Sequence, residues 1–169
     1  MRRGLTFILS AFLITADQIT KKLIVDNIMV NTIGYSFWND FLQIVHVKNL
    51  GVAFSMGDSV PNIVRVILFI ILPLFVMAGL VVFIIKAEEI TTFQRWAMAG
   101  ILGGGIGNLI DRIFRPDGVV DFVSVKFYGL FGMERFPVFN VADSSIVVFG
   151  ILLLITFILE GRKKNEQET

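Results

Sequence analysis

The chain has 169 residues, of which 55% are apolar and 17% charged, and a formal net charge of +1. A soluble domain of this size cannot bury so large an apolar fraction, so the chain needs a bilayer; no nucleic-acid partner is expected. The absence of cysteine excludes disulfides, thiolate metal sites and a cysteine nucleophile, and His46 is the single histidine.

Several apolar stretches approach the roughly 20 residues that a helix needs to cross a hydrocarbon core about 30 Å thick. The first covers about Leu5 to Val25. Its basic start looks like a signal peptide, but no small-x-small cleavage site follows, and the apolar pattern resumes at Ile19, Leu23 and Ile24 as in a retained span. The connection at about 26–62 is too apolar for a loose linker: Tyr35, Phe37, Trp38 and Phe41 precede Leu42 to Val47 between Gly34 and Gly51, a composition that predicts strands. The second span is about Ile63 to Ile85, with Pro73 as a tolerated kink and Arg65 snorkelling to the headgroups from its outer end. The third, about Trp96 to Phe114, holds two overlapping small-xxx-small pairs, Gly100 with Gly104 and Gly103 with Gly107, where a neighbouring helix can come close. In the connection at about 115–140, Gly118 to Tyr128 is β-branched and aromatic and predicts a further strand for the same sheet. The fourth span is about Val141 to Leu159, and the polar stretch 161–169 reads as a disordered cytoplasmic tail after a single domain of residues 1–160.

Arg2, Arg3, Lys86, Arg95, Arg162, Lys163 and Lys164 fall on one side of an even-span arrangement, the side that the positive-inside rule assigns to the cytoplasm. The expected fold is therefore an all-α polytopic membrane protein with four transmembrane helices, both termini cytoplasmic, and a small β-sheet on the outer face.

Polar groups within apolar spans are expensive and point to function. Asp17 lies about two turns before the outer end of span one; Asn108, Asp111 and Arg112 lie in the last turns of span three; Asn140 and Asp143 open span four, and Asp121 sits just outside. Three helices and one loop thus converge on one layer near the outer interface. Asp17 and Lys21, four residues apart, can neutralise each other, whereas Asp111 and Arg112 need partners across the bundle. For Asp121 and Asp143 two readings stand. One is a turn residue and a helix N-terminal acid. The other is a carboxylate dyad sharing a proton, in which one acid activates water and the other polarises a scissile carbonyl. Such a dyad hydrolyses amides with no metal or cofactor. A zinc protease is disfavoured by the lone histidine and missing HExxH, and a serine hydrolase by the missing Gly-x-Ser-x-Gly. His46 reads as a partly exposed strand residue. The rival class is a small proton-coupled transporter or channel using Asp17 and Asp111, against which the polar groups cluster at one interface and not at the midplane.

Five blocks in order resemble the lipoprotein signal peptidase (signal peptidase II) family: Asp17-Gln18-x-Thr20-Lys21, Asn49-x-Gly51-x-Ala53-Phe54, Gly103-Gly104-x-x-Gly107-Asn108-x-Ile110-Asp111-Arg112, Val119-Val120-Asp121-Phe122 and Phe139-Asn140-x-Ala142-Asp143. The resemblance implies an aspartic endopeptidase of the bacterial cytoplasmic (inner) membrane, working near its outer face as a monomer in contact with membrane lipid. Its substrate would be a diacylglyceryl-modified prolipoprotein, cut before the lipidated cysteine. It implies that Asp121 and Asp143 are catalytic, that Asn49, Asn108, Arg112, Asn140 and Ala142 bind substrate or support the dyad, and that Asp17, Lys21 and Asp111 are structural polar contacts. Two departures stand out: Gly105 replaces a residue that is often alanine, and Phe136 replaces one that is often tryptophan.

Overall fold

In the computed structural model, which describes residues 3–50 and 61–167, four long helices carry a three-stranded antiparallel sheet. Gly51, Ala53 and Phe54 of the second block lie outside the described residues. Helix α1 (Phe7–Asn27) follows a 3-10 turn and ends where Ile28 becomes extended. Strands β1 (Ile33–Phe37) and β2 (Leu42–Asn49) form a hairpin, and β3 (Val119–Val125) pairs with β2, so the strand predicted after Gly118 joins the sheet as expected.

The β2–β3 register jumps between Ile44↔Val123 and Val47↔Asp121. This bulge breaks the alternation of a strand, so that Val45 and His46 are both buried. The expectation of a partly exposed His46 is therefore corrected: its Nδ1 lies 2.7 Å from the Ile28 carbonyl oxygen, and its Nε2 is buried without a partner.

Helix α2 (62–86) joins Asn62–Val66 and Leu72–Lys86 through a π turn at Ile67–Ile71. Proline cannot donate to the preceding turn, and the wider turn just ahead of Pro73 accommodates the missing bond. Helix α3 (Thr92–Phe114) starts with a capping box, in which the Thr91 hydroxyl accepts from the Gln94 N–H and the Gln94 side chain accepts from the Thr91 N–H. Helix α4 spans Val141–Gln167. This helix runs past the domain bound expected at 160.

The helices run alternately up and down. Arg3 donates to the Ile85 carbonyl (2.9 Å), Arg95 to the carbonyls of Ile84 and Ala87, and Gln94 to Glu160 (2.8 Å), which gathers the start of α1, the end of α2, the start of α3 and α4 at Glu160. At the other end, Ile24 and Ile28 pack on Val120 and Phe122 of β3 and seat the sheet on α1. Ile63–Lys86 and Val141–Glu160 are long and apolar enough to cross a membrane, with mean hydropathies of 3.1 and 2.4. Helices α1 and α3 are of similar length but carry the buried charges that lower theirs.

Helix α3 is central because its glycines face three neighbours. A Cβ at Gly103 would meet the Ser10 backbone of α1, one at Gly105 the Met77 sulfur of α2, and one at Gly104 the Ala142 carbonyl oxygen of α4 at 2.4 Å. Met77 thus fills the space that a methyl group at 105 would take, which accounts for that departure. Phe136, the other, packs between Phe127 and Phe139 with ring centroids 5.0 and 5.8 Å away. Gly104→Ala must push backbone from backbone and is expected to cost about 1–3 kcal/mol. Gly150→Ala, with nothing within 4 Å, is expected to be neutral or stabilising. Thermal unfolding in detergent checks the pair.

Candidate active site

The site grows from the start of α4. Asn140 is its N-cap: the Asn140 side-chain oxygen accepts from the Asp143 N–H (2.9 Å), and Asp143 Oδ2 accepts from the Asn140 N–H (3.1 Å). This reciprocal pairing satisfies two donors that a helix start leaves open, and it fixes the Asp143 carboxylate. The remaining Asn140 amide donates from Nδ2 to Asp121 Oδ1 (2.7 Å). One asparagine therefore holds both acids predicted as the dyad.

Each carboxylate takes a second hydrogen bond from the other side. Asn49, at the end of β2, donates to Asp121 Oδ2 (2.9 Å), while Asn108 on α3 donates to Asp143 Oδ1 (2.7 Å). Asp121 is buried on β3, and Asp143 is half-buried. Burial pushes the Asp121 carboxyl up to about 6; the nearby Asp143 charge adds to this, and the Asn49 and Asn140 hydrogen bonds oppose it. One limb of the pH dependence of turnover is therefore expected near pH 6, below which Asp121 carries its proton. Asn49→Ala removes an opposing hydrogen bond, so this limb should move to higher pH, which initial rates between pH 5 and 9 would measure.

Beneath the acids lies a closed polar core. Lys21 Nζ is 2.8 Å from Asp17 Oδ2, 2.9 Å from Asp111 Oδ2 and 3.0 Å from Asn108 Oδ1. All three charged side chains have no exposed surface. The acid-to-base pair on α1 is thus a triad completed across the bundle by Asp111, as the isolated position of Asp111 required. Asp17 Oδ1 also accepts from the Ala142 N–H (3.0 Å), and Asp111 Oδ2 from the Val120 N–H (3.2 Å), so the triad ties the starts of α4 and β3 together. Ala142 contributes its backbone and its small size: a Cβ at Gly107 would lie 3.2 Å from the Ala142 Cβ and 2.8 Å from Asp17 Oδ2.

A chemical direction runs through this core. An ammonium only donates, so Asn108 must turn its oxygen to Lys21 and its amide group to Asp143. Asn140 Nδ2 also reaches Asn108 Oδ1 (3.1 Å), which reinforces the same orientation. Lys21 therefore determines that Asp143 is met by a donor.

Arg112 joins this network through charge alone, since the carboxylates of Asp143, Asp121 and Asp111 all act on it. It makes no hydrogen bond or ion pair among the described residues, and its guanidinium lies 5.8 Å from the Phe69 ring centroid. Sequence reasoning also missed the capping box at Asn140 and Asp143, although the three-residue spacing of an N-cap side chain and an acid was its signal. Beside Asp143, a cavity of about 270 Å³ is lined by Phe136, Phe139, Val147 and Val148, with Ser144 at its edge.

Comparison with known proteins follows this geometry. A family profile described as "Signal peptidase (SPase) II" matches residues 9–159. The lipoprotein signal peptidase of Treponema denticola is 47% identical over 162 residues, covering 96% of this chain and 93% of that one. That of Treponema pallidum is 43% identical over 158 residues, covering 94% and 85%. A bacterial membrane enzyme solved by the in meso method at 2.3 Å resolution superposes with a TM-score of 0.79 at 28% identity, covering 95% of this chain and 92% of that one.

Proposed function

Because the chain belongs to the signal peptidase II family, we propose that it removes the signal peptide from diacylglyceryl-modified bacterial prolipoproteins, cutting before the lipidated cysteine with a water activated by Asp121 and Asp143. The observation that carries this reading is the shared clamp: Asn140 contacts both acids, and a second asparagine donates to each from the far side. Two carboxylates so held are kept in register to share one proton. The ionised partner takes a proton from water as its oxygen attacks the scissile carbonyl, while the protonated partner donates to the carbonyl oxygen. When the tetrahedral intermediate collapses, the aspartate that took the water proton passes it to the leaving nitrogen as the C–N bond breaks, and the other aspartate takes a hydroxyl proton back as the carbonyl re-forms, returning the dyad to one proton. No metal or cofactor enters this scheme.

The protein is a membrane protein, and we read its placement in the bilayer from the charges. Arg3, Lys86 and Arg95 gather at the helix ends opposite the sheet, which under the positive-inside rule supports a cytoplasmic position for that end and a position near the outer face for the dyad. We read all four helices as spans and the enzyme as monomeric. A substrate whose signal helix and acyl chains remain in the membrane then meets the dyad laterally, and the apolar cavity beside Asp143 accepts its apolar groups. Asp17 and Asp111, the acids a proton pathway would use, are both tied to Lys21, so no observation favours the transporter reading.

The test is cleavage by purified protein in detergent of one precursor with and without its diacylglyceryl group, in the presence and absence of a chelator. Only the modified precursor should be cut, with or without chelator, leaving the cysteine at the new amino terminus by mass spectrometry. Equal cleavage of the unmodified precursor, or loss of activity with chelator, would overturn the proposal.

A further inference from the structure

A second cavity, also of about 270 Å³, opens on the other side of Asn49 between α2, α3 and the start of β3. Three of its walls are arginines, Arg65 on α2, Arg112 near the end of α3 and Arg115 just beyond it, and no acidic residue lines it among the described residues. Arg65, expected to snorkel to the headgroups, is one of the residues that line this cavity. The Nε atoms of Arg65 and Arg112 are buried without hydrogen-bond partners, and neither side chain has an ion pair among the described residues. Arg115 is 3.2 Å from Asp111 Oδ1, but that contact leaves its buried Nη1 outside hydrogen-bond geometry. Asp117 is taken by Lys48 at 2.5 Å, and the charges of Asp143 and Asp121 act on Arg112 without an ion pair or hydrogen bond to it.

Guanidinium groups are rarely left with buried donors unmet, because each unmet donor costs about 1–3 kcal/mol. Several guanidinium forks around one space match the tetrahedral oxygens of a phosphate. The rest of the lining from α2, Val66, Phe69 and Ile70, is apolar, and the neighbouring Ile67, Leu68 and Ile71 of α2 are exposed. A ligand that satisfies both parts of the lining has a phosphate head and hydrocarbon tails. The diacylglyceryl group of the precursor carries no phosphate, so it does not supply the anion that such an arginine cluster would hold.

We propose that the Arg65–Arg112–Arg115 cavity binds the phosphate of an anionic membrane phospholipid, whose acyl chains lie along α2. The inference rests on the membrane placement above. Asn49 lines this cavity and donates to Asp121, so an occupied cavity also presses on a residue that holds the dyad.

The experiment is native mass spectrometry and thermal unfolding of the full chain in neutral detergent. The probes are phosphatidylglycerol, diacylglycerol with the same acyl chains, and inorganic phosphate. Phosphatidylglycerol should remain bound and raise the melting temperature, whereas the other two should do neither. Arg65→Gln should weaken phosphatidylglycerol binding by about tenfold, with Arg65→Lys in between, as expected when a charged fork is lost. Equal binding of diacylglycerol, or an unchanged affinity in Arg65→Gln, would overturn the proposal; equal protection by inorganic phosphate would assign the cavity to a soluble anion and overturn it too. Cleavage of the modified precursor is followed in the same preparations, so loss of lipid selectivity with cleavage intact removes this inference alone.

Discussion

Asp121→Asn is expected to lower cleavage of the modified precursor by about 10³-fold or more while leaving the melting temperature nearly unchanged at pH 8. The stability half of this result follows from two opposed effects. Burial raises the Asp121 carboxyl to about 6, so at pH 8 the ionised form is held at a cost of about 3 kcal/mol relative to a freely solvated carboxylate. An asparagine removes that cost. Its own amide group must however face either Asn140 Nδ2 or Asn49 Nδ2, both donors, at a cost of about 1–3 kcal/mol. The two nearly cancel, and what remains is the lost proton transfer. Asp143→Asn should be equally inactive but less stable, since an amide there opposes the Asn108 amide or the Asn140 N–H and also removes a charge from a helix start. Initial rates and thermal unfolding on the same preparations check both variants. Retained cleavage in either would remove its aspartate from the chemistry.

The contrast between the two variants also shows what a sequence can reveal of such a site. The convergence of Asp17, Asn108, Asp111, Asp121, Asn140 and Asp143 on one layer follows from counting residues along helices of known rise, and the structure brings these side chains together. The third strand was legible because Gly118 to Tyr128 is β-branched and aromatic. The partners of each acid were not legible. Asp17 and Lys21 form the i, i+4 pair that their spacing predicts, yet nothing local shows that Asp111, ninety residues later, takes the same ammonium. Arg112 sits beside Asp111 in sequence, but adjacent helical residues point to different faces, and it turns to Phe69 and the arginine cavity. His46 escaped because a bulge, and not the strand period, decides which way it points. Periodicity captures depth and face; hydrogen-bond direction across the bundle requires the folded chain.

Lys21→Met should abolish cleavage although Lys21 sits behind the asparagines that hold the dyad. Methionine fills a similar volume but leaves Asp17 and Asp111 as buried acids without their cation, a loss of about 3–5 kcal/mol. It also removes one of the two donors that hold the Asn108 side-chain oxygen, leaving only Asn140 Nδ2, so Asn108 can more readily turn that oxygen toward Asp143 and set acceptor against acceptor. The two consequences separate in the triple variant Lys21→Met, Asp17→Asn, Asp111→Asn. Neutralising both acids removes the unpaired charges, so much of the lost melting temperature should return. Asn108 still lacks its ammonium, so cleavage should remain at least about 10²-fold below wild type, the scale associated with a misplaced acid–base group. If the triple variant recovers activity in step with stability, Lys21 serves only to neutralise the buried acids. If stability returns without activity, the buried ammonium on α1 orients the amide on α3 that holds the Asp143 carboxylate on α4.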